Sequence, residues 1–183
     1  MTASDDAGEG EAAGEDELPF VLPRIPASSG ALIFDGGGRL LIVNPTYKAH
    51  WTIPGGIMEA DGETPWEACR REVREEVALD VTFGRLVAVD FLRPKPSKAG
   101  GMRFLFDCGV FDDDALDGIE LQEEELSEYL LAEPARALEL LSGPLRRRVG
   151  AVLALEAGAE GGLAVGDTAA PECVYLEDGR PVL

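Results

Sequence analysis

The chain has 183 residues, of which 45% are hydrophobic and 28% charged, a composition suited to a globular domain with its own core. Its 35 acidic against 16 basic residues give a formal net charge of −19, which opposes binding to nucleic acid or to an anionic membrane surface. No run approaches the roughly 18 to 20 apolar residues that span a bilayer, and three cysteines without a CxxC spacing beside a single histidine, His50, oppose a disulfide framework, a zinc site and a His-ligated metal centre.

Residues 1–18 carry seven acidic and no basic side chains among Ala, Gly and Ser. Such a segment buries too little apolar surface to offset its ordering entropy, so a disordered acidic tail is expected. It lacks the basic start and apolar middle of a signal peptide, which leads us to expect a cytoplasmic protein. Order is expected from about Leu18–Pro23, with one domain over 19–157. Ala31–Phe34 and Leu40–Val43 are apolar runs around the turn Asp35–Gly38, a hairpin signal. The Gly/Pro-rich loop YKAHWTIPGGIMEADGETP follows and holds a short apolar strand. From Pro65 to about Val77 the pattern is helical, with Thr64 as N-cap, Pro65 at the first helical position and Glu67 completing a capping box.

Beyond this helix, VTFGRLVAVDFL and MRFLFDCGVF read as strands joined by a loop of Pro, Lys and Gly. DDDALDGIELQEEELSEYLLAE reads as an acidic loop leading into a short strand. Residues 133–157 contain two helical stretches broken at SGP. The remainder, 158–183, is expected to be a loop and a hairpin turned at Asp178–Gly179, packed on the domain. The order β-β-β-α-β-β-β-α predicts an α/β fold, a mixed sheet flanked by helices.

The helix carries the chemistry. With Val73 at zero and 100° per residue, Trp66, Cys69 and Val77 lie within about 40° of it and form a core stripe. Glu72, Glu75 and Glu76 occupy one flank, while Arg70, Arg71 and Arg74 occupy the other with Glu67. Like charges three and four residues apart repel, so three clustered carboxylates call for a compensating cation. Hard oxygen ligands suit Mg²⁺ or Mn²⁺ rather than zinc. Just upstream, the glycine pair Gly55–Gly56 permits close backbone approach to a ligand, and Glu63 adds a fourth carboxylate.

These residues resemble the signature of the Nudix hydrolases: Gly, five residues, Glu, seven residues, then Arg-Glu-aliphatic-x-Glu-Glu-x-Gly-aliphatic. Gly56, Glu63, Arg71, Glu72, Val73, Glu75, Glu76 and Leu79 match it, and Trp51–Gly56 (WTIPGG) is similar to the family's usual approach. The chain departs twice: six residues separate Gly56 from Glu63, and Ala78 replaces a glycine that suits a left-handed helix end. The strand order extends the resemblance to roughly residues 24–157.

The resemblance implies the Nudix fold, an α/β/α sandwich, and hydrolysis of a diphosphate joining a nucleoside to another moiety, with Mg²⁺ or Mn²⁺. Glu72, Glu75 and Glu76 would bind the metal with the Gly55 carbonyl, Glu63 would support it, and Arg71 would orient the glutamates. The general base would be Glu72, or Glu124 or Glu125 from the later acidic segment. Bound metal would also let so acidic a chain hold an anionic small-molecule diphosphate. Pro94, fifteen residues after Leu79, resembles a marker of ADP-ribose-hydrolysing members. Arg93, Lys95 and Lys98 are candidates for phosphate contact, and Trp51 and Phe91 for stacking on a base. A homodimer is the assembly the family suggests. The alternative is a catalytically weak Nudix domain that serves as a nucleotide-binding or regulatory module.

Overall fold

The computed structural model describes residues 24–160 and 173–182. The expected acidic tail, 1–18, and the loop 161–172 lie outside the described residues. In chain order the elements are β1 (Ala27–Asp35), β2 (Leu40–Pro45), α1 (Pro65–Val77), β3 (Arg85–Leu92), β4 (Gly101–Phe111), α2 (Asp113–Asp117), β5 (Leu126–Ala132), α3 (Pro134–Leu140), α4 (Gly143–Glu160), β6 (Val174–Glu177) and β7 (Arg180–Pro181).

The strands form one mixed sheet in the order β5-β2-β1-β4-β3-β6-β7. β1 runs parallel to β4, and β3 parallel to β6, while the other neighbours are antiparallel. The terminal hairpin, turned at Asp178–Gly179 as its sequence predicts, therefore lengthens the main sheet. Side chains alternate across a strand, and this alternation divides the interior in two. Ile33, Val43 and Phe106 face α1 with Cys69, Val73 and Val77. Their neighbours Leu32, Ile42 and Leu105 face the other side with Val149 and Val152 of α4 and Ala137 of α3. The result is the helix-sheet-helix sandwich expected from the sequence. Val73 and Val77 are wholly buried; burial of such side chains stabilises by about 1.5–3 kcal/mol each and presses α1 onto the sheet.

Both ends of α1 follow its sequence. Thr64 Oγ1 accepts the Glu67 N–H, and the Glu67 carboxylate accepts the Thr64 N–H. At the other end Ala78 adopts φ 56° and ψ 21° and donates its N–H to the Arg74 carbonyl. The left-handed cap survives the replacement of glycine, at a cost of about 1–2 kcal/mol.

Three expectations need correction. The apolar segment near Ile53 forms only the isolated bridges Val43–Thr52 and Trp51–Leu141, because Pro54 has no N–H and Gly55 turns the chain at φ 139°. VTFGRLVAVDFL enters the sheet only at Arg85. Its first residues pack under α1 instead: Val81 is buried in that core, and Gly84 abuts the Trp66 ring, which would collide with any Cβ there. The acidic loop after β4 contains the short helix α2, started by Asp112, whose carboxylate accepts the Ala115 N–H.

Candidate active site

The site lies where the Pro54–Gly56 segment passes between β1 and α1. Ala31 N–H bonds the Pro54 carbonyl and Ser29 N–H the Gly56 carbonyl, at 2.9 and 3.0 Å. The Gly55 carbonyl, between these two, accepts no hydrogen bond among the described residues. Gly55 is required sterically, and Gly56 leaves room for a glutamate. A Cβ on Gly55 would strike the Ser29 carbonyl, and one on Gly56 would strike the Glu72 carboxylate. The acidic face of α1 is thus closed directly under the glycine pair.

Glu76, 5% exposed, accepts the Gly55 N–H at 2.7 Å. Burial pushes its carboxyl up to about 8; the Gly55 hydrogen bond opposes this, the charges of Glu72 and Glu125 add to it, and Lys48 offsets part of it. Glu72 is also pushed up, first by burial, with Arg71 opposing and Glu75 and Glu125 reinforcing. Each of these carboxylates is held in a place where its negative charge is disfavoured.

Arg71 organises the rest. Its Nε and Nη2 donate to the two oxygens of Glu63 at 2.7 and 3.1 Å. Its Nη1 donates to Glu72 at 2.9 Å and Glu75 at 3.0 Å, and Nη2 reaches the Ile57 carbonyl at 3.1 Å. This bidentate pairing, then the Glu59 N–H, holds the Glu63 carboxyl below its usual range. The extra residue before Glu63 is absorbed in a local turn. Asp61 accepts the Glu63 N–H and Gly62 takes φ 97°, so Glu63 still reaches Arg71.

The donor set fits a hard divalent cation: several carboxylates, two of them disfavoured as anions, and a carbonyl without a hydrogen bond. Among the described residues no three acidic, histidine or cysteine side chains converge at coordination distance. Arg71 draws Glu63, Glu72 and Glu75 towards itself, and Gly55 holds Glu76.

Of the later glutamates, the structure brings Glu125 to the cluster. Gln122 N–H bonds the Glu76 carbonyl, and Thr46 bonds the Glu125 carbonyl, so the Glu125 charge acts on both Glu72 and Glu76.

A cleft of about 650 Å³ opens from the glycine pair and is lined also by Trp51, Lys48, Lys98, Arg103 and Arg148. Of the loop residues singled out from sequence, Lys98 and Trp51 therefore reach it. Arg93 pairs instead with Glu177 and Asp178 of the terminal hairpin, and Phe91, Pro94 and Lys95 are not part of its wall. Lys48, Arg103 and Arg148 were missed. Lys48 stood three positions before Trp51 and was within reach of a sequence reading, whereas Arg103 and Arg148 come from β4 and α4 and carry no local signal.

The sandwich and its acidic helix under a glycine pair define a class of protein. The chain belongs to the Nudix hydrolase family: the NUDIX domain model matches residues 24–151. An 8-oxo-dGTP diphosphatase of Proteus vulgaris is 39% identical over 70 residues, covering 34% of this chain and 62% of that protein. A MutT-like protein of Streptomyces ambofaciens is 34% identical over 67 residues, covering 37% of this chain and 43% of that protein. The chain thus spans less than two thirds of the length of either curated relative. Among solved structures, the MutT protein of Methanosarcina mazei Go1 superposes with a TM-score of 0.61 at 22% identity, covering 72% of this chain and 94% of that one; this similarity concerns the fold.

Proposed function

We propose that the chain is a metal-dependent pyrophosphohydrolase that cleaves the diphosphate bond of a nucleoside diphosphate linked to another moiety, an ADP-ribose-like compound or a nucleoside triphosphate being the candidates. The observation that carries this is the placement of Glu72 and Glu76 directly beneath Gly55–Gly56, with Arg71 tying Glu72 to Glu75 and Glu63. Glu72, Glu75, Glu76 and the Gly55 carbonyl would hold Mg²⁺ or Mn²⁺, with Glu63 supporting through Arg71. When bound, the metal neutralises charge on the phosphoryl oxygens and acidifies the attacking water.

The chain's own residues supply the rest. A carboxylate oxygen takes the proton as water attacks phosphorus and the bridging P–O bond breaks, releasing the second phosphate. Glu72 is suited to this because burial raises its proton affinity. Glu125, whose charge reaches the same cluster, is the other candidate and is better placed than Glu124. Arg71 holds Glu63, Glu72 and Glu75 in one cluster. The substrate's other moiety would lie in the cleft against Trp51. The hydrolase domain would span 19–157, with 158–183 as an extension, and a homodimer is the assembly we would test for.

The test is release of phosphate or nucleotide from ADP-ribose, nucleotide sugars, diadenosine polyphosphates and oxidised nucleoside triphosphates with Mg²⁺ or Mn²⁺. Turnover of one class, abolished by Glu76→Gln, is the expected result. Binding of a nucleotide without turnover of any would overturn it in favour of a nucleotide-binding module.

A further inference from the structure

The cleft has a charge opposite to that of the protein. Four of the 16 basic residues, Lys48, Lys98, Arg103 and Arg148, line it, and among the described residues no Asp or Glu does. In a chain with more than twice as many acids as bases, that segregation needs a physical reason.

Arg103 is the most telling of the four. Its guanidinium is half-buried, yet its hydrogen bonds go only to neutral carbonyls, Met102 at 2.8 Å and Gly100 at 3.2 Å. It forms no ion pair among the described residues. Burial, and then the charge of Arg148, disfavour its charged form, with Asp90 offsetting part. A guanidinium does not lose its proton, so this desolvated charge is best compensated by an anion from outside. Lys48 and Lys98 likewise have no carboxylate partner among the described residues.

Arg148 is held differently. It is 6% exposed, and its Nε and Nη2 donate to Oδ2 of the fully buried Asp90 at 2.9 and 2.8 Å. The Gly179 N–H of the terminal hairpin occupies Asp90 Oδ1 at 3.0 Å. Asp90 therefore fixes the guanidinium plane, while Nη1 has no partner among the described residues and Arg148 forms part of the cleft wall. After the Asp90–Arg148 pair cancels, three positive charges remain around one pocket.

We propose that this cleft holds a second anionic group of the substrate, a phosphate monoester on the nucleoside's ribose, away from the diphosphate, with Arg103 and Arg148 as its specificity-determining residues and Asp90 as the positioning residue for Arg148. A phosphate monoester brings nearly two negative charges and three acceptor oxygens, which matches the excess of positive charge on the cleft wall better than a single carboxylate does. The proposal rests on the hydrolase reading for the diphosphate itself. It narrows the substrate to nucleoside diphosphate derivatives that carry a further phosphate away from the scissile bond.

Matched pairs differing by that one group provide the test: ADP-ribose against ADP-ribose 2′-phosphate, and dephospho-coenzyme A against coenzyme A. Binding to the full chain is measured by titration calorimetry without added divalent metal, and hydrolysis with Mg²⁺ separately. In at least one pair the phosphorylated compound should bind about tenfold tighter or more, the size of one to two charge-assisted hydrogen bonds. Arg103→Gln, whose wild-type side chain has only carbonyl partners to lose, should bind both members of that pair equally. Asp90→Asn should reduce the same preference, and the plain member of the pair serves as its control for folding. Equal binding within both pairs, or no binding of any of the four compounds, would overturn the proposal. A preference without turnover leaves the phosphate subsite standing and sinks the hydrolase reading. Turnover with no preference does the reverse.

Discussion

The Gly55 N–H lies 2.7 Å from Glu76 Oε2, joining the most buried carboxylate of α1 to the turn that would face the substrate. Neither partner has an alternative. Gly55 sits at φ 139° against the Ser29 carbonyl, and Glu76 has no other donor among the described residues. Replacing Gly55 by Ala forces the turn away from β1 and pulls this N–H off Glu76. We expect a loss of about 1–3 kcal/mol in stability and loss of hydrolysis, measured by chemical denaturation and by turnover of the best substrate in the panel.

Arg71 connects three glutamates through one planar fork. Lysine keeps the charge but cannot bond Glu63 through two nitrogens while also reaching Glu72 and Glu75. Arg71→Lys should therefore weaken metal binding or turnover by about 10- to 100-fold, the usual effect of losing a group that orients metal ligands. A metal titration followed by activity reads this directly, and wild-type behaviour in the lysine variant would show that charge alone suffices.

The Glu76 carboxyl is pushed from 4.5 up to about 8, chiefly by burial and then by Glu72 and Glu125 against the Gly55 hydrogen bond. A group whose folded value is raised contributes stability that is fully present below about pH 4.5 and lost as pH rises through about 8. In metal-free protein, the Tm of the wild type should therefore fall relative to that of Glu76→Gln between about pH 5 and about pH 9. Mg²⁺ should recover the wild type at the alkaline end and leave the variant little changed. Parallel Tm profiles for the two proteins without metal would contradict this.

Ala78 closes α1 in a left-handed conformation, φ 56°, where Cβ crowds the following carbonyl. Ala78→Gly relieves that contact at some cost in chain entropy. We expect a net gain of up to about 1 kcal/mol by denaturant titration, with turnover unchanged because Ala78 takes no part in the acidic cluster.

Much of this site was legible in the chain because it is local. One helix supplies Arg71, Glu72, Glu75 and Glu76, and helical spacing alone places them side by side. The capping box at Thr64 and Glu67 and the terminal turn at Asp178–Gly179 are likewise set by residues within a few positions of each other. The order of apolar runs and helical stretches also foretold a mixed sheet flanked by helices. It misled at Val81–Gly84, where apolar residues serve α1 and Trp66 instead of a strand ladder.

What only the tertiary structure decided depends on distant segments meeting. Gly55 finds Glu76 because β1 holds the glycine turn against α1. The Glu125 charge reaches Glu72 and Glu76 because its loop docks on the Glu76 carbonyl. Arg103 and Arg148, 45 residues apart in the chain, become neighbours when α4 folds over the sheet, and Asp90 of β3, itself bonded by Gly179 of the terminal turn, holds Arg148. Local spacing fixes which side chains share a helix face. The sign of the charge in the cleft depends on long-range packing, which brings basic residues together from across a strongly acidic chain.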